Sequence, residues 1–424
     1  MNRFLTYLLS VACVAVVCGC GEDRTHELEE KTQHNHWLLD EMRDKYLWGD
    51  TLATIEPTWK DFFATPYDFL AKLTSKASKT DKWSYVEVDT IAKDVRARGH
   101  FNHIDSYGFD FVIMNDPTGQ TTKQFARVIT VIPGSPAHEA KLKRNDFISE
   151  FDTYKVSNNN TARLERGAAH TLTVRRLRTS TTSEELEWSD PTILNLGASR
   201  RVEDIPFPVN QKVDVGGIKV GYLMCNQLVA DAATGTQSQR LTTIIDDFKR
   251  SEVNEIVLDL RLCNYGTMEM ASRLASHIVA PSHVGKVFAS TVWNTRYSAN
   301  NRTYLYDASV TNIGVGRVYV LTSSYTRGAA EWLIHSLQST MGKENVIVIG
   351  KSTAGQNVMT QEIGHEYHIA LCPAVAYVAD HNGDYDYGAI APSVAVDEMN
   401  FAELYEYGEP DEPLFRAAIM QIAF

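Results

Sequence analysis

Beyond residue 20 the chain of 424 residues has only three cysteines, Cys225, Cys263 and Cys372. An odd number in no metal-ligand spacing argues against a disulfide framework or a structural zinc site, and these thiols are expected to pack as small apolar side chains. Positive charge is also short, with 41 lysines and arginines against 53 aspartates and glutamates and a net charge of −12. A nucleic-acid partner would need a basic stripe, and the runs Lys141-Leu142-Lys143-Arg144 and Arg175-Arg176-Leu177-Arg178 are too short to be one. They read as solvated turn or strand faces. Metal patterns fall short too. His26, His34 and His36 lack a fourth ligand and are expected in solvent. His365-Glu366-Tyr367-His368 spaces its histidines by three where a zincin helix needs four, and Tyr367, Ile369 and Leu371 alternate as in a strand. Asp380, Asn382, Asp384 and Asp386 alternate like calcium ligands, but Gly383 is misplaced and the twelfth position is not acidic, so a solvated hairpin loop is expected. No metal or cofactor is implied.

The first twenty residues, MNRFLTYLLSVACVAVVCGC, combine one arginine, an apolar run and a small-residue end. This is a secretory signal rather than a spanning helix. Val17-Cys18-Gly19-Cys20 resembles a bacterial lipobox, which implies that Cys20 is acylated and holds the chain on a membrane outside the cytoplasm, on the periplasmic or the surface face of what is expected to be the outer membrane. The remainder, from a chain 44% hydrophobic and 22% charged, is ordinary for two or three globular domains in water.

Residues 21–34 are polar and read as a tether. Leu38, Met42 and Tyr46 share one face of a helix expected from Trp37 to Trp48, and a second helix is expected around Tyr67 to Leu73, so residues 21–99 form a tether and a small helical domain. Over residues 100–178, SYGFDFVI alternates like a strand, FARVITVIPGSPAHEAKLKRNDFISEFD reads as strand, turn, short helix and strand, and HTLTVRRL closes a sheet. GSPAHEAKLKRNDFI resembles the signature of PDZ domains, with Lys141 and Asn145 where that signature has glycines. The resemblance implies a β domain that binds a peptide or protein C-terminus as an added edge strand, its carboxylate on the loop Tyr107-Gly108-Phe109-Asp110. Residues 179–205 are mixed and polar, suiting a connector. From 206 to the end, strands and helices alternate: Leu241, Ile244, Ile245 and Phe248 mark one helix face, Ile256 to Leu260 a buried strand, and Met270, Ala271, Leu274 and Ile278 the next helix.

In this last region Val318 to Leu321 is a buried strand, followed by a polar turn and a helix whose apolar residues are Ala330, Leu333, Ile334 and Leu337. Asn345 to Gly350 is another strand, ending in the loop Lys351-Ser352-Thr353-Ala354-Gly355-Gln356. With IVLDLRLCNYG at 256–266, this stretch resembles the core of the C-terminal processing, or tail-specific, serine peptidases. The resemblance implies a multidomain α/β (α+β) fold with helical, PDZ-like and peptidase domains. It also implies a serine nucleophile in T-x-S-A-x-E and a lysine base in G-x-x-T-x-G-K. The matching residues are Thr326, Arg327, Gly328, Ala329, Ala330, Glu331 and Gly350, Thr353, Gly355, Gln356. Gly328 stands at the nucleophile position, Gln356 at the base position, and Glu331 where a glutamate assists the lysine.

Acyl transfer needs a nucleophile, a base and donors for the oxyanion. Gly328 has no side chain, and Gln356 accepts no proton near neutral pH. In the family's D-L-R-x-N-x-G-G segment, Cys263 replaces the asparagine and Tyr265 a glycine ahead of Gly266, so the oxyanion region is expected to be obstructed. Ser323, Ser324, Thr326, Cys263 and Lys351 lie near enough to be substitutes, but using Ser324 or Thr326 would shift the turn by two to four residues. The expected function is a membrane-anchored pseudopeptidase that binds peptides or protein C-termini. The alternatives are a serine endopeptidase with displaced nucleophile and base, and a regulatory subunit that assembles with an active relative. For each, the expected assembly is a homo- or hetero-oligomer.

Overall fold

The structure is a computed structural model, and it describes residues 25–88, 105–179, 185–203, 205–230, 235–364 and 366–423. The signal segment, Cys20 and His365 lie outside these. Contacts divide the described residues into two compact units, the first drawn from residues 25–88 and 360–375 and the second from residues 105–359 and 376–423. In the first, helix α1 (Thr25–Lys45) buries Leu38, Leu39 and Met42. It begins where the sequence suggested a tether. Glu27 and Lys31 are four apart in a stretch of good helix formers, so this polar segment continues the helix that the apolar face starts. Helix α2 (Pro66–Ala77) is capped by Thr65, whose side chain accepts from Asp68 N, and it buries Phe69, Leu70 and Leu73. Strand β1 (Tyr85–Val88) pairs antiparallel with Ile369–Cys372. The alternation read from Tyr367 starts later than expected, because Tyr367 and His368 adopt left-handed backbone ahead of the strand. Among the described residues, no helix is long and apolar enough to cross a membrane.

The second unit opens with a sheet of β2 (Phe109–Asn115), β3 (Gln124–Val131), β4 (Phe147–Phe151), β5 (His170–Arg175) and β6 (Thr192–Leu196), in the order β6-β5-β4-β3-β2. Strand β6 falls in the presumed connector, where Leu186–Trp188 also pairs with Leu177–Thr179, so the polar stretch contributes strands. Lys141 and Asn145 both have positive φ, +65° and +69°, which is the backbone that the expected glycines would have supplied. Asn145 is used further: its Oδ1 accepts from Arg127 Nε at 3.0 Å and Nη2 at 2.7 Å.

The remaining layer is a six-stranded sheet of β7 (Asn210–Val215), β8 (Ile218–Met224), β9 (Glu255–Asp259), β10 (Val318–Thr322), β11 (Val346–Gly350) and β12 (Val394–Ala395), in that order. The first two form a hairpin and the rest run parallel. Helices α3 (Thr236–Arg250), α4 (Met268–Ile278) and α5 (Ala329–Met341) pack on the face that carries Ile256, Leu258, Val318 and Val320. Helix α6 (Pro413–Ala423) packs on the other face, against Val257, Tyr319 and Leu321. Each fully buried Leu, Ile or Phe side chain contributes about 1.5–3 kcal/mol. The period-two split of β10 between the two cores fixes its register, and that register aims the turn after it.

Candidate functional site

The turn between β10 and α5 is fastened by its own hydroxyls. Thr326 is buried; its Oγ1 donates to the Leu260 carbonyl at 2.9 Å and accepts from Ser323 N at 3.0 Å. Ser323 Oγ donates to the Arg261 carbonyl at 2.5 Å and accepts from Tyr325 N at 3.0 Å. Two of the three hydroxyls that could replace a nucleophile are therefore spent anchoring the turn to the end of β9. Ser324 is exposed and shares a cavity of about 180 Å³ with Lys351 and Asp397. Lys351 Nζ pairs with Asp397 at 2.9 Å, and among the described residues no hydrogen bond joins it to Ser324. Cys263 is buried, with Sγ 3.9 Å from the Tyr265 carbonyl.

Gly328 caps α5 with φ +60° and ψ −122°. A side chain there is strained, and this sharp strand-to-helix turn is how a hydrolase lifts a nucleophile out of the backbone. A Cβ built on Gly328 would lie 3.4 Å from Gln356 Oε1. The two positions paired from the sequence thus face each other across a gap that one side chain would close. Gln356 Nε2 donates to the Val358 carbonyl at 3.1 Å, and Trp332 Nε1 donates to the Gln356 carbonyl at 3.1 Å.

Glu331 lies next to Gln356 and bonds its backbone N–H, while the Gln356 side-chain amide donates to the Val358 carbonyl. Fully buried, Glu331 accepts from Gly355 N and Gln356 N at 2.6 Å each, from Gly328 N at 3.3 Å, and from the Thr353 hydroxyl. Burial pushes its carboxyl above the ordinary range, against the downward pull of those four bonds. Its work is to fix the 353–356 loop onto the first turn of α5. Replacing Glu331 by Gln removes one acceptor oxygen and sets an amide donor against N–H groups, so Glu331→Gln should cost about 2–4 kcal/mol. Urea unfolding measures that loss, and faster amide exchange at Gly355 and Gln356 should accompany it.

The obstruction expected at Tyr265 is not seen. Its ring is exposed and its φ is not positive, so a tyrosine fits there without backbone strain. Gly266 is the constrained position. A Cβ on it would lie 2.7 Å from Ala329 Cβ, Leu228 Cβ and the Leu228 carbonyl oxygen. That close approach brings the loop against the first residue of α5, beside Gly328.

The other predicted residues are arranged differently. Tyr107 is buried, with its hydroxyl donating to the Ala168 carbonyl at 2.5 Å. Its amide meets the Glu165 carbonyl at 3.4 Å, and Gly108 N donates to Ser106 Oγ at 2.9 Å. These two amides are engaged within the chain and do not await a carboxylate. Phe109 is buried, and with Asp110 it starts β2, the edge strand of its sheet. In the hairpin loop, Asp380 Oδ1 accepts from Asn382 N at 2.8 Å and Asp384 N at 3.0 Å. His335, Asp380 and Asp384 could place ligand atoms within 4.8 Å of one another, but Asp380 is already engaged in closing the loop.

A buried charge cluster lies below the turn, and it includes Arg144, which the sequence suggested for a solvated face. Arg261, fully buried, meets Asp259 Oδ2 at 2.7 Å, Glu398 Oε2 at 2.9 Å and Glu412 Oε1 at 2.5 Å. Arg144 joins Glu398 at 2.8 Å and Glu412 at 3.3 Å, and stacks over the Tyr407 ring at 3.9 Å. The D-L-R spelling could have flagged the arginine, but its acidic partners carry no local signal.

Two family models match the sequence, peptidase family S41 over residues 219–396 and the peptidase S41 N-terminal domain over residues 33–85. Among solved structures, the chain is similar to an S41 protease from Bacteroides fragilis NCTC 9343, with a TM-score of 0.79 and 27% identity over 91% of this chain and 97% of that one. It shares the fold of the photosystem II D1 C-terminal processing protease, with a TM-score of 0.51 and 15% identity over 93% of this chain and 98% of that one. No curated protein matches the sequence.

Proposed function

The chain belongs to peptidase family S41, and on that premise we propose that it is a membrane-anchored pseudopeptidase that holds extended peptides without cutting them. One observation carries this reading: the nucleophile turn keeps its shape around Gly328, which has no side chain, and the facing position is an amide, Gln356. Neither group can attack a carbonyl or take a proton. The turn hydroxyls of Ser323 and Thr326 are committed to backbone carbonyls, which counts against a displaced nucleophile. For peptide binding, the PDZ-like sheet offers β2 at its edge, so an extended segment would add there as a strand. With the Tyr107 and Gly108 amides engaged, recognition of a terminal carboxylate on that loop is not part of the proposal. Acylation of Cys20 would keep the protein in the cell envelope.

The purified protein should leave a disordered polypeptide intact and take no label from a serine-reactive phosphonate. Cleavage together with a labelled Ser323, Ser324 or Thr326 would establish a displaced centre and end the pseudopeptidase reading.

A further inference from the structure

The short turn that precedes α2 and the first turn of α2 itself present large apolar side chains to solvent. Trp59 is 70% exposed, Phe63 45% and Tyr67 43%. The Trp59 and Phe63 rings meet edge to face at 6.1 Å, and Lys60 Nζ lies 5.6 Å from the Trp59 ring. Single exposed apolar residues are ordinary, but three within nine positions make a patch. The turn is not loose. Asp61 accepts from Thr58 N at 2.8 Å and Thr58 Oγ1 at 3.0 Å and pairs with Lys72, and Asn35 Nδ2 donates to the carbonyls of Phe62 at 3.0 Å and Ala64 at 2.8 Å. The His36 ring, expected in solvent, stacks on Phe62 at 3.8 Å. A braced turn therefore holds these aromatics outward.

We infer that Trp59, Phe63 and Tyr67, with Lys60, form a membrane-contact surface that seats this unit on the lipid headgroup region. The inference rests on the proposed acylation of Cys20. Tryptophan, tyrosine and lysine are the residue types that settle at a lipid–water boundary, and an acyl anchor is strengthened by a second contact. Distances agree. The turn lies beside residues 35 and 36, about 15 Å along α1 from Thr25, and the five residues from Cys20 to Thr25 span at most about 18 Å. The patch is thus within reach of the surface on which residue 20 would be held.

Of the seven tryptophans, Trp59 alone is exposed, and the difference between the parent and Trp59→Phe isolates its share of the emission. The mature protein would be purified from membranes, the mass at Cys20 measured, and the protein placed in phosphatidylcholine vesicles with bromine on the upper acyl chain, a short-range quencher. Relative to unbrominated vesicles, emission should fall by the share of Trp59, and the fall should vanish in Trp59→Phe. Equal emission in both vesicles, or quenching that survives in Trp59→Phe, overturns the inference. A second arm uses the mature chain with Cys20→Ser and a hexahistidine tag before residue 20, held on vesicles containing nickel-chelating lipid. Quenching there that depends on Trp59, with no acyl mass on the native protein, would remove the lipid anchor and keep the surface. Acylation without quenching in either arm would keep the anchor and remove the surface.

Discussion

Arg261→Met should destabilise the second unit by about 3–5 kcal/mol, the range seen when one partner of a buried ion pair is removed. In the native protein two buried guanidinium groups, of Arg261 and Arg144, face the carboxylates of Asp259, Glu398 and Glu412. Methionine would fill much of the volume but leave three largely buried carboxylates around one arginine. The penalty comes from the uncompensated charge rather than from lost packing, which gives a clean control. Adding Glu412→Gln to Arg261→Met removes one of the stranded charges and should recover part of the loss. Denaturant titration of the three proteins decides the matter. A single variant within about 1 kcal/mol of the parent would mean that the cluster is balanced by its other partners.

The same cluster sets an acid limit. Burial pushes the Glu398 carboxyl up, but Arg261 and Arg144 pull it down further, to about 2. A folded-state value below the ordinary value of about 4.3 stabilises the protein above that range, and the stabilisation is lost as pH falls from there through about 2. Stability should therefore decline over that window, with a shallower slope in Glu398→Gln.

Why this cluster was not legible follows from where its members lie in the chain. Arg261 bonds to residues 137 and 151 positions away, and Arg144 to residues 254 and 268 away. Each acidic residue taken singly looks like a solvated surface charge, and only the fold collects them. The helix faces were legible because their signal is local: Leu241, Ile244, Ile245 and Phe248 are all buried, as their spacing required. The sharp strand-to-helix turn was legible from its motif, and the structure sets positions 328 and 356 opposite each other. Polarity misled in two places. Residues 25–34 are helical without an apolar face of their own, and strand β6 pairs with β5 through backbone bonds that composition does not report. Tyr265 misled for a third reason: the motif spoke of a glycine, but the position that needs one by close approach is Gly266.

Gly328→Ser with Gln356→Lys should give a protein that a phosphonate labels at position 328, whereas the parent and each single variant stay unlabelled. The backbone argues for this outcome. A side chain at 328 starts 3.4 Å from the end of the residue at 356, within reach of a hydroxyl–amine hydrogen bond after small rotations. Glu331 already clamps the 353–356 loop to the turn through four acceptor contacts, so the new base would arrive on a positioned loop. Gly266 still packs on Ala329, and Tyr265 sits beside it without positive φ. Two costs oppose the gain. A serine at φ +60° carries strain of about 1–3 kcal/mol, and a lysine there must lose its proton, which burial favours and the neighbouring Glu331 carboxylate resists. The second cost predicts labelling that rises with pH through the alkaline range. A double variant that folds, as judged by its circular dichroism, yet takes no label at any pH would show that the oxyanion donors near Gly266 have drifted from the place a reacting carbonyl needs. The proposed loss of function would then extend beyond the two replaced side chains.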